Sequence, residues 1–314
     1  MNPTFSVIVL TVASGAGYGM LAWLGVLNAF RLLPDSPWFG VATVLVSLAL
    51  SAVGLLSSTL HLGHPERAWR AVSQWRSSWL SREAVMALLT NLPALGFAAA
   101  WFLAGRAIGV TVVLGLLAAA CGLATVACQA MIYATLRPIR QWCNKLVLPI
   151  LLLLALFSGV AWLAAALAVA GHSARLAAAL GVVFGIAALL AKLMYWRRID
   201  AVLPVATMES ATGLGGIGPV RSLESPHTEE NYLLREMGYA IARRHAARLR
   251  QIVLALGFFA PVALLLAGIV AGVTPDRILL PIAAVVGLLG IYIERWLFFA
   301  QATHTVTLYY GRRV

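Results

Sequence analysis

Charged residues are scarce in this sequence. Asp, Glu, Lys and Arg make up 11% of the 314 residues, whereas soluble domains carry about 25%. Hydrophobic residues reach 61%, and the mean hydropathy is +0.90. This composition excludes an ordinary soluble domain and predicts an integral membrane protein.

Cysteine is rarer still, with three residues in the chain: Cys121, Cys128 and Cys143. They form no CxxC pair, and they lie inside or beside apolar runs. This pattern indicates neither a disulfide framework nor a metal or cluster site. We interpret the three cysteines as small core residues, because free cysteine is usually buried.

Eight apolar runs are long enough to cross a membrane, which takes about 20 mostly apolar residues. They lie near 5–31, 39–61, 83–104, 108–134, 146–171, 176–196, 251–272 and 278–300. The first run lacks the basic region of a signal peptide and exceeds the length of its apolar core, so we interpret it as a helix. The predicted fold is an all-α bundle of eight transmembrane helices, a single membrane domain over residues 1–314.

The basic residues are unevenly distributed along the chain. Nineteen Lys and Arg fall in or near the segments that join helices 2–3, 4–5 and 6–7 or at the termini, and 4 fall on the opposite side. Cytoplasmic loops carry the excess of Lys and Arg. We therefore predict a bacterial inner (cytoplasmic) membrane protein with both termini and its working face in the cytoplasm. The net charge of +12 then gives no indication of a nucleic-acid partner.

Residues 197–250 form the longest polar region, a predicted cytoplasmic loop and helix extension. The part before about Pro226 is rich in Gly, Ser, Thr and Pro, and predicts an irregular loop. The part after it begins with the cap-like Thr228, places acids before arginines, and predicts a helix that extends the seventh span. The stretch "GLGGIG" matches a dinucleotide fingerprint, but no strand precedes it and no βαβ unit surrounds it.

The densest group of ionisable residues outside that region lies in residues 60–85, "LHLGHPERAWRAVSQWRSSWLSREAV". His61, His64 and Glu83 are predicted to meet where two helices reach the same membrane surface, where unpaired ionisable groups are costly. Histidine has an ordinary pKa near 6.5 and exchanges protons near neutral pH. Because quinone reduction consumes two electrons and two protons, these groups beside an apolar cavity predict a quinone site. His61 and Glu83 are the predicted catalytic residues, and the predicted quinone-binding set is His61, His64, Arg67, Arg76, Ser77, Trp79 and Glu83.

Three stretches carry a resemblance to a known family: "LHLGHPERAWRA", "SSWLSREA" and "PHTEENYLLREMGYAIARRHAARLR". With the span count and loop lengths, they make nearly the whole chain similar to the DmsC family. Its members are eight-helix membrane anchor subunits of dimethyl sulfoxide reductase-type molybdoenzymes. The resemblance implies that the chain binds quinone or quinol and holds an iron–sulfur subunit, which contacts a molybdopterin catalytic subunit. The molybdopterin and the iron–sulfur clusters would then reside in the partners only.

The resemblance also implies roles for particular residues. His61 matches the quinone-site histidine of the family's HLG motif, Glu83 matches its carboxylate, and Arg67 matches the arginine of its P-x-R-A pattern. His64 stands where some members carry Ser. The family's periplasmic enzymes place the HLG end outside, whereas the charge distribution here places it inside, as in the SoeC subgroup of sulfite-oxidising enzymes. We therefore expect electrons to pass from sulfite to ubiquinone or menaquinone, with quinol oxidation in a reductase as the alternative.

The arginines of the polar segments predict a surface that docks the iron–sulfur subunit. The candidates are Arg70, Arg137, Arg140, Arg243, Arg244 and Arg248. Contact between such arginines and lipid phosphates is an alternative.

Two other functions stay open. A transporter would need broken helices or ionisable groups near the midplane, and the span interiors offer little beyond Gln129 and Asn91, which we interpret as packing residues. A b-type haem would require His304 to pair with His61 or His64, and no other metal site is expected.

Overall fold

The computed structural model describes residues 5–60, 62, 64–201, 207–224, 245–270, 273–303 and 308. Within these ranges the chain is helical, and eight helices are long and apolar enough to cross a membrane. The spans are α1 (Phe5–Ala29), α2 (Pro37–Thr59), α3 (Trp79–Ala104), α4 (Gly109–Ala134), α5 (Val147–Val169), α6 (Arg175–Asp200), α8 (Ala246–Val270) and α9 (Val273–Ala300). The prediction of eight helices that are long and apolar enough to span a membrane is confirmed.

Some helix boundaries differ from the prediction. Helix α3 begins at Trp79 because the Ser78 hydroxyl accepts a hydrogen bond from the Ser81 amide at 3.4 Å and caps the helix. Glu83 therefore lies in the second turn of α3 and not at its first residue. A short helix, α7 (Met208–Thr212), interrupts the predicted irregular loop. The predicted helix extension at 228–244 lies outside the described residues.

The eight spans form two rings of four helices with the same connectivity. In the first ring each of α1 to α4 contacts the next, and α4 closes back on α1; α5, α6, α8 and α9 do the same in the second. The rings meet through α1 and α5, which are the most buried spans. We call the rings the first and second halves of the bundle.

Helices α1 and α5 approach so closely because glycine occupies their contact. A Cβ at Gly19 would overlap the carbonyl oxygen of Ala155, and one at Gly159 would overlap the backbone of Gly19. Gly15 and Gly19 form a GxxxG pair on one face of α1, and small residues of this kind allow two backbones to touch, as they do at Gly19. The contact fixes how the two halves lie against each other.

The longer connections between spans lie at one end of the bundle, which we call the polar-loop end. Residues 62–78 and 135–146 cross it, and the first of these includes a 3₁₀ helix over Pro65–Val72. The second is fastened to α9, because Trp142 Nε1 donates to the Phe298 carbonyl at 3.1 Å. The opposite, short-loop end has brief turns such as that between α3 and α4.

Candidate functional site

A cavity of about 650 Å³ lies in the first half at the polar-loop end. Its walls come from α1, α2, α3, α4 and the 3₁₀ helix, and most lining residues are apolar. Its polar lining consists of Ser58, Thr59, His64, Arg67, Glu83, Gln129 and Tyr133. Pockets of roughly 300–1,000 Å³ with apolar walls and a few convergent polar groups are typical ligand sites. The cavity brings together three members of the predicted quinone-binding set: His64, Arg67 and Glu83.

One carboxyl oxygen of Glu83 accepts a hydrogen bond from the protein, and the other has no hydrogen-bond partner among the described residues. The residue is 4% exposed, and its Oε1 accepts a hydrogen bond from Gln129 Nε2 at 2.9 Å. Its buried Oε2 has no hydrogen-bond partner among the described residues. A buried polar atom without a partner is costly, and such atoms are rare in folded proteins. At the wall of a cavity, this oxygen indicates a place where a ligand binds.

Gln129 fixes the orientation of the Glu83 carboxyl group. Its Nε2 also lies 3.4 Å from Ser14 Oγ, so the amide connects α4 to both α3 and α1. The sequence analysis interpreted Gln129 as a packing residue, and the structure adds that its amide bonds across two helix interfaces. The available signal was an amide inside an apolar span, where a polar side chain needs a partner.

Tyr133 is a second residue that the sequence analysis missed. It follows Gln129 by one helical turn, so both side chains share one face of α4 and line the cavity. Its ring packs edge-on against Trp142, with ring centroids 5.5 Å apart. The aromatic contact holds the tyrosine at the cavity wall, and the i, i+4 spacing was its only signal in the sequence.

His64 and Arg67 form an exposed rim on the same cavity. His64 Nδ1 donates to Glu66 Oε1 at 2.9 Å, and Arg67 Nε lies 3.8 Å from that oxygen. The side chains of His64 and Arg67 are 65% and 57% exposed. Glu66 thus orients His64 and Arg67 where the cavity opens, while Glu83 lies at its buried end.

Three other predicted quinone-binding residues make contacts elsewhere and are not in the described lining of the cavity. The Arg76 guanidinium lies 5.5 Å from the ring centroid of Trp75, and Ser77 Oγ donates to the Gln74 carbonyl at 3.4 Å. The Trp79 ring centroid lies 4.2 Å from the Arg82 guanidinium. Their participation in quinone binding stays a prediction. His61 lies outside the described residues, so its predicted role is equally untested.

The described members of the predicted docking set lie at the polar-loop end. Arg70, Arg137, Arg140 and Arg248 are all exposed there, while Arg243 and Arg244 lie outside the described residues. Docking of a partner at these arginines stays a prediction. The b-type haem alternative is untested as well, because His61 and His304 both lie outside the described ranges.

Three buried charged residues form a cluster in the second half of the bundle. Lys192 on α6 pairs with Glu294 Oε1 on α9, and Arg295 donates to the same carboxylate from Nε at 2.5 Å and Nη2 at 2.8 Å. All three residues are at most 2% exposed. Counting Lys192 and Arg295 with the loop charges was therefore wrong. Without them, 17 basic residues remain against 4, so the charge bias persists.

The chain is similar to known proteins over nearly its whole length. The family model described as DMSO reductase anchor subunit (DmsC) matches residues 1–311. The chain is 36% identical over 328 aligned positions to a protein named as a subunit of sulfite dehydrogenase from Allochromatium vinosum, with 99% of each chain covered. No solved structure matches the chain.

Proposed function

Because the chain belongs to the DMSO reductase anchor subunit (DmsC) family, we propose that it exchanges electrons with quinone at the cavity beside Glu83. As a member of an anchor family with eight apolar helices, it is a membrane subunit of a larger oxidoreductase complex. The observation that carries the quinone proposal is the unpaired, buried Oε2 of Glu83 at the polar end of a largely apolar cavity.

The residues of the cavity fit a quinone. Its apolar walls, which include Leu10, Leu55 and Ile132, suit an isoprenoid tail. Its polar end offers hydrogen-bonding groups suited to the carbonyl oxygens of a headgroup. When bound, the quinone supplies chemistry that takes up or releases two electrons and two protons. The chain itself has to orient the headgroup and exchange the protons.

Glu83 holds the transferable proton in this proposal. Gln129 anchors Oε1, so the proton is carried by Oε2, the oxygen without a protein partner among the described residues. Because the carboxyl group is buried, it exchanges protons only with groups inside the cavity. A fixed donor or acceptor at hydrogen-bond distance is the geometric requirement for general acid–base catalysis.

His64 and Arg67 connect this buried end to water. The bond from His64 Nδ1 to Glu66 fixes the tautomer, which leaves Nε2 to exchange protons. The positive charge of Arg67 favours an electron-rich headgroup. We propose that His61, the family's quinone-site histidine, acts with Glu83.

We further propose that the electrons come from sulfite. Two observations support this substrate: the identity to a protein named as part of a sulfite dehydrogenase, and the charge bias that predicts a cytoplasmic polar-loop end. An iron–sulfur subunit would dock at that end in the cytoplasmic membrane and connect the quinone site to a molybdopterin subunit. Opposite charges at such a surface tune orientation and the rate of encounter more than affinity.

The test is sulfite-dependent reduction of a quinone analogue by the complex, purified through a tag on this subunit. Replacing a general acid or base typically costs about 10²–10⁴-fold in rate. We expect Glu83→Gln to lose quinone reduction on this scale while sulfite oxidation with a soluble dye persists. Asp276→Asn is the matched control, since Asp276 is a buried carboxylate in the first turn of α9, at the short-loop end.

Two outcomes would contradict parts of the proposal, and a third would identify a damaged variant. Full quinone reduction in both Glu83→Gln and His61→Ala would refute the site. Quinol-driven reduction of dimethyl sulfoxide, without sulfite activity, would place the complex in the reductase direction and refute sulfite as the substrate. Loss of the dye reaction in Glu83→Gln would instead indicate a damaged complex.

A further inference from the structure

A second, much smaller cavity lies between the two halves of the bundle. Its volume is about 20 Å³, and it is lined by residues of α1, α4, α5 and α9, including Gly15, Gln129, Ser158 and Arg295. A cavity needs about 10–15 Å³ of this kind of volume, and two to four polar partners, to hold one water molecule. The volume therefore suits one water.

Three polar groups in the lining of this cavity can bond to a water molecule. Arg295 Nη1 is buried and makes no hydrogen bond within that part of the chain. Gln129 uses only Nε2 in its described hydrogen bonds, which leaves Oε1 available as an acceptor. The Ser158 hydroxyl donates to the Leu154 carbonyl at 2.8 Å and retains lone pairs for accepting. The lining thus offers one donor and two acceptors to a water molecule.

We propose that this cavity binds a single water molecule that accepts a hydrogen bond from Arg295 Nη1 and donates one to Gln129 Oε1, so that Arg295 and Gln129 position Glu83. The proposal rests on the function proposed above for Glu83. A continuous connection then runs from Lys192 through Glu294, Arg295, the water and Gln129 to Glu83. Arg295 is a positioning residue in this connection, because it acts on Glu83 through other groups.

The position of Gln129 supports the connection. The cluster of Lys192, Glu294 and Arg295 leaves Arg295 Nη1 as a buried donor without a partner among the described residues, and an unsatisfied buried donor is costly. Gln129 borders both the small cavity and the cavity beside Glu83. Polarisation along a chain of hydrogen bonds strengthens its members in a low-dielectric interior.

Other titratable and charged groups lie near Glu83. They are Tyr18 on α1, Arg82 on α3, Cys128 and Tyr133 on α4, and His64 and Arg67 in the 3₁₀ segment. Because these groups influence any pH profile, the test has to remove the water without touching them.

We expect Gly15→Ala to remove the water without changing any of these groups. The added methyl would meet Ala155 Cβ at 3.8 Å, an ordinary contact, on the wall of the small cavity. Every hydrogen-bonding side chain stays in place while the water is displaced. Gly96→Ala is the matched control, since its methyl would meet Leu114 at 3.4 Å and Gly96 does not line this cavity.

Two readouts on the purified complex test the proposal. A cryo-electron microscopy map that resolves ordered water should show one peak between Arg295 and Gln129 in the wild type and none in Gly15→Ala. Loss of one net hydrogen bond corresponds to about three- to tenfold in rate. We expect kcat for quinone-analogue reduction to fall by about this factor, with an altered pH profile and KM within about twofold. Arg295→Gln should lower kcat at least as far, because it removes the donor to the water and also two hydrogen bonds to Glu294.

The outcomes separate this proposal from the one on which it rests. If Glu83→Gln abolishes quinone reduction while Gly15→Ala keeps the wild-type kcat and pH profile, the positioning role is refuted and the quinone site stands. If Glu83→Gln retains full activity, the quinone site itself is refuted. Absence of the water peak, or a bromide ion in its place after exchange into bromide, would refute the water site.

Discussion

Gln129 Nε2 donates a hydrogen bond of 2.9 Å to Glu83 Oε1, and this bond joins α4 to α3 inside the cavity. The two residues are 46 positions apart in the sequence. One carboxyl oxygen is thereby held, and the other is presented to a ligand. The function proposed for Glu83 therefore depends on a neighbour that only the packing of the helices provides.

Replacing the amide should impair the site without dissociating the complex. In Gln129→Leu, Glu83 loses its described hydrogen-bond donor, and we expect quinone-analogue reduction to fall by about tenfold or more. Steady-state kinetics of the purified complex, with the dye reaction alongside, measure this effect. Asn91→Leu is the control, because Asn91 donates to its own helix at the Ala87 carbonyl at 2.8 Å. Equal losses in both variants would contradict the specific role of Gln129.

The buried cluster in the second half should be sensitive to loss of its carboxylate. Glu294→Gln leaves Lys192 and Arg295 as buried cations without their described carboxylate partner, and breaking a buried pair in this way costs about 3–5 kcal/mol. We expect a clearly lower melting temperature of the purified complex. Lys192→Met should cost less, since Glu294 and Arg295 remain paired. A melting temperature for Glu294→Gln at the wild-type value would contradict this account.

Charge reversal at the polar-loop end should weaken partner binding. We expect Arg137→Glu combined with Arg248→Glu to reduce recovery of the iron–sulfur subunit with the tagged anchor, increasingly so at low salt, where charges are less screened. Arg106→Glu at the short-loop end is the matched control, because Arg106 is also exposed. Unchanged recovery at every salt concentration would exclude these arginines from the docking surface.

Cysteine labelling tests the predicted orientation. The interpretation of Cys143 as a core residue was wrong, because Cys143 is exposed at the polar-loop end. Ser173 is exposed at the short-loop end. If the polar-loop end faces the cytoplasm, a membrane-impermeant maleimide added to intact cells should label Ser173→Cys in a Cys143→Ser background but not Cys143 in the wild type. Labelling of Cys143 from outside would reverse the orientation and remove one argument for sulfite as the substrate.

The sequence by itself determined the membrane class, the eight spans and the importance of residues 60–85. These properties are local, because a run of about 20 apolar residues forms a helix in lipid whatever its neighbours are. Family motifs that are contiguous in the chain, such as the one that contains Glu83, were recognisable for the same reason.

Only the tertiary structure decided which helices meet. In the sequence, Gln129 is one amide in an apolar span, and its bond to Glu83 requires that α4 packs against α3. In the same way, Lys192 and Arg295 resemble loop charges in the sequence, but α6 and α9 bury them around Glu294. Hydropathy is averaged along one helix and does not specify its neighbours. Close glycine contacts, such as that between Gly19 and Gly159, determine those neighbours. The polar partners of Glu83 are therefore a property of the packed bundle.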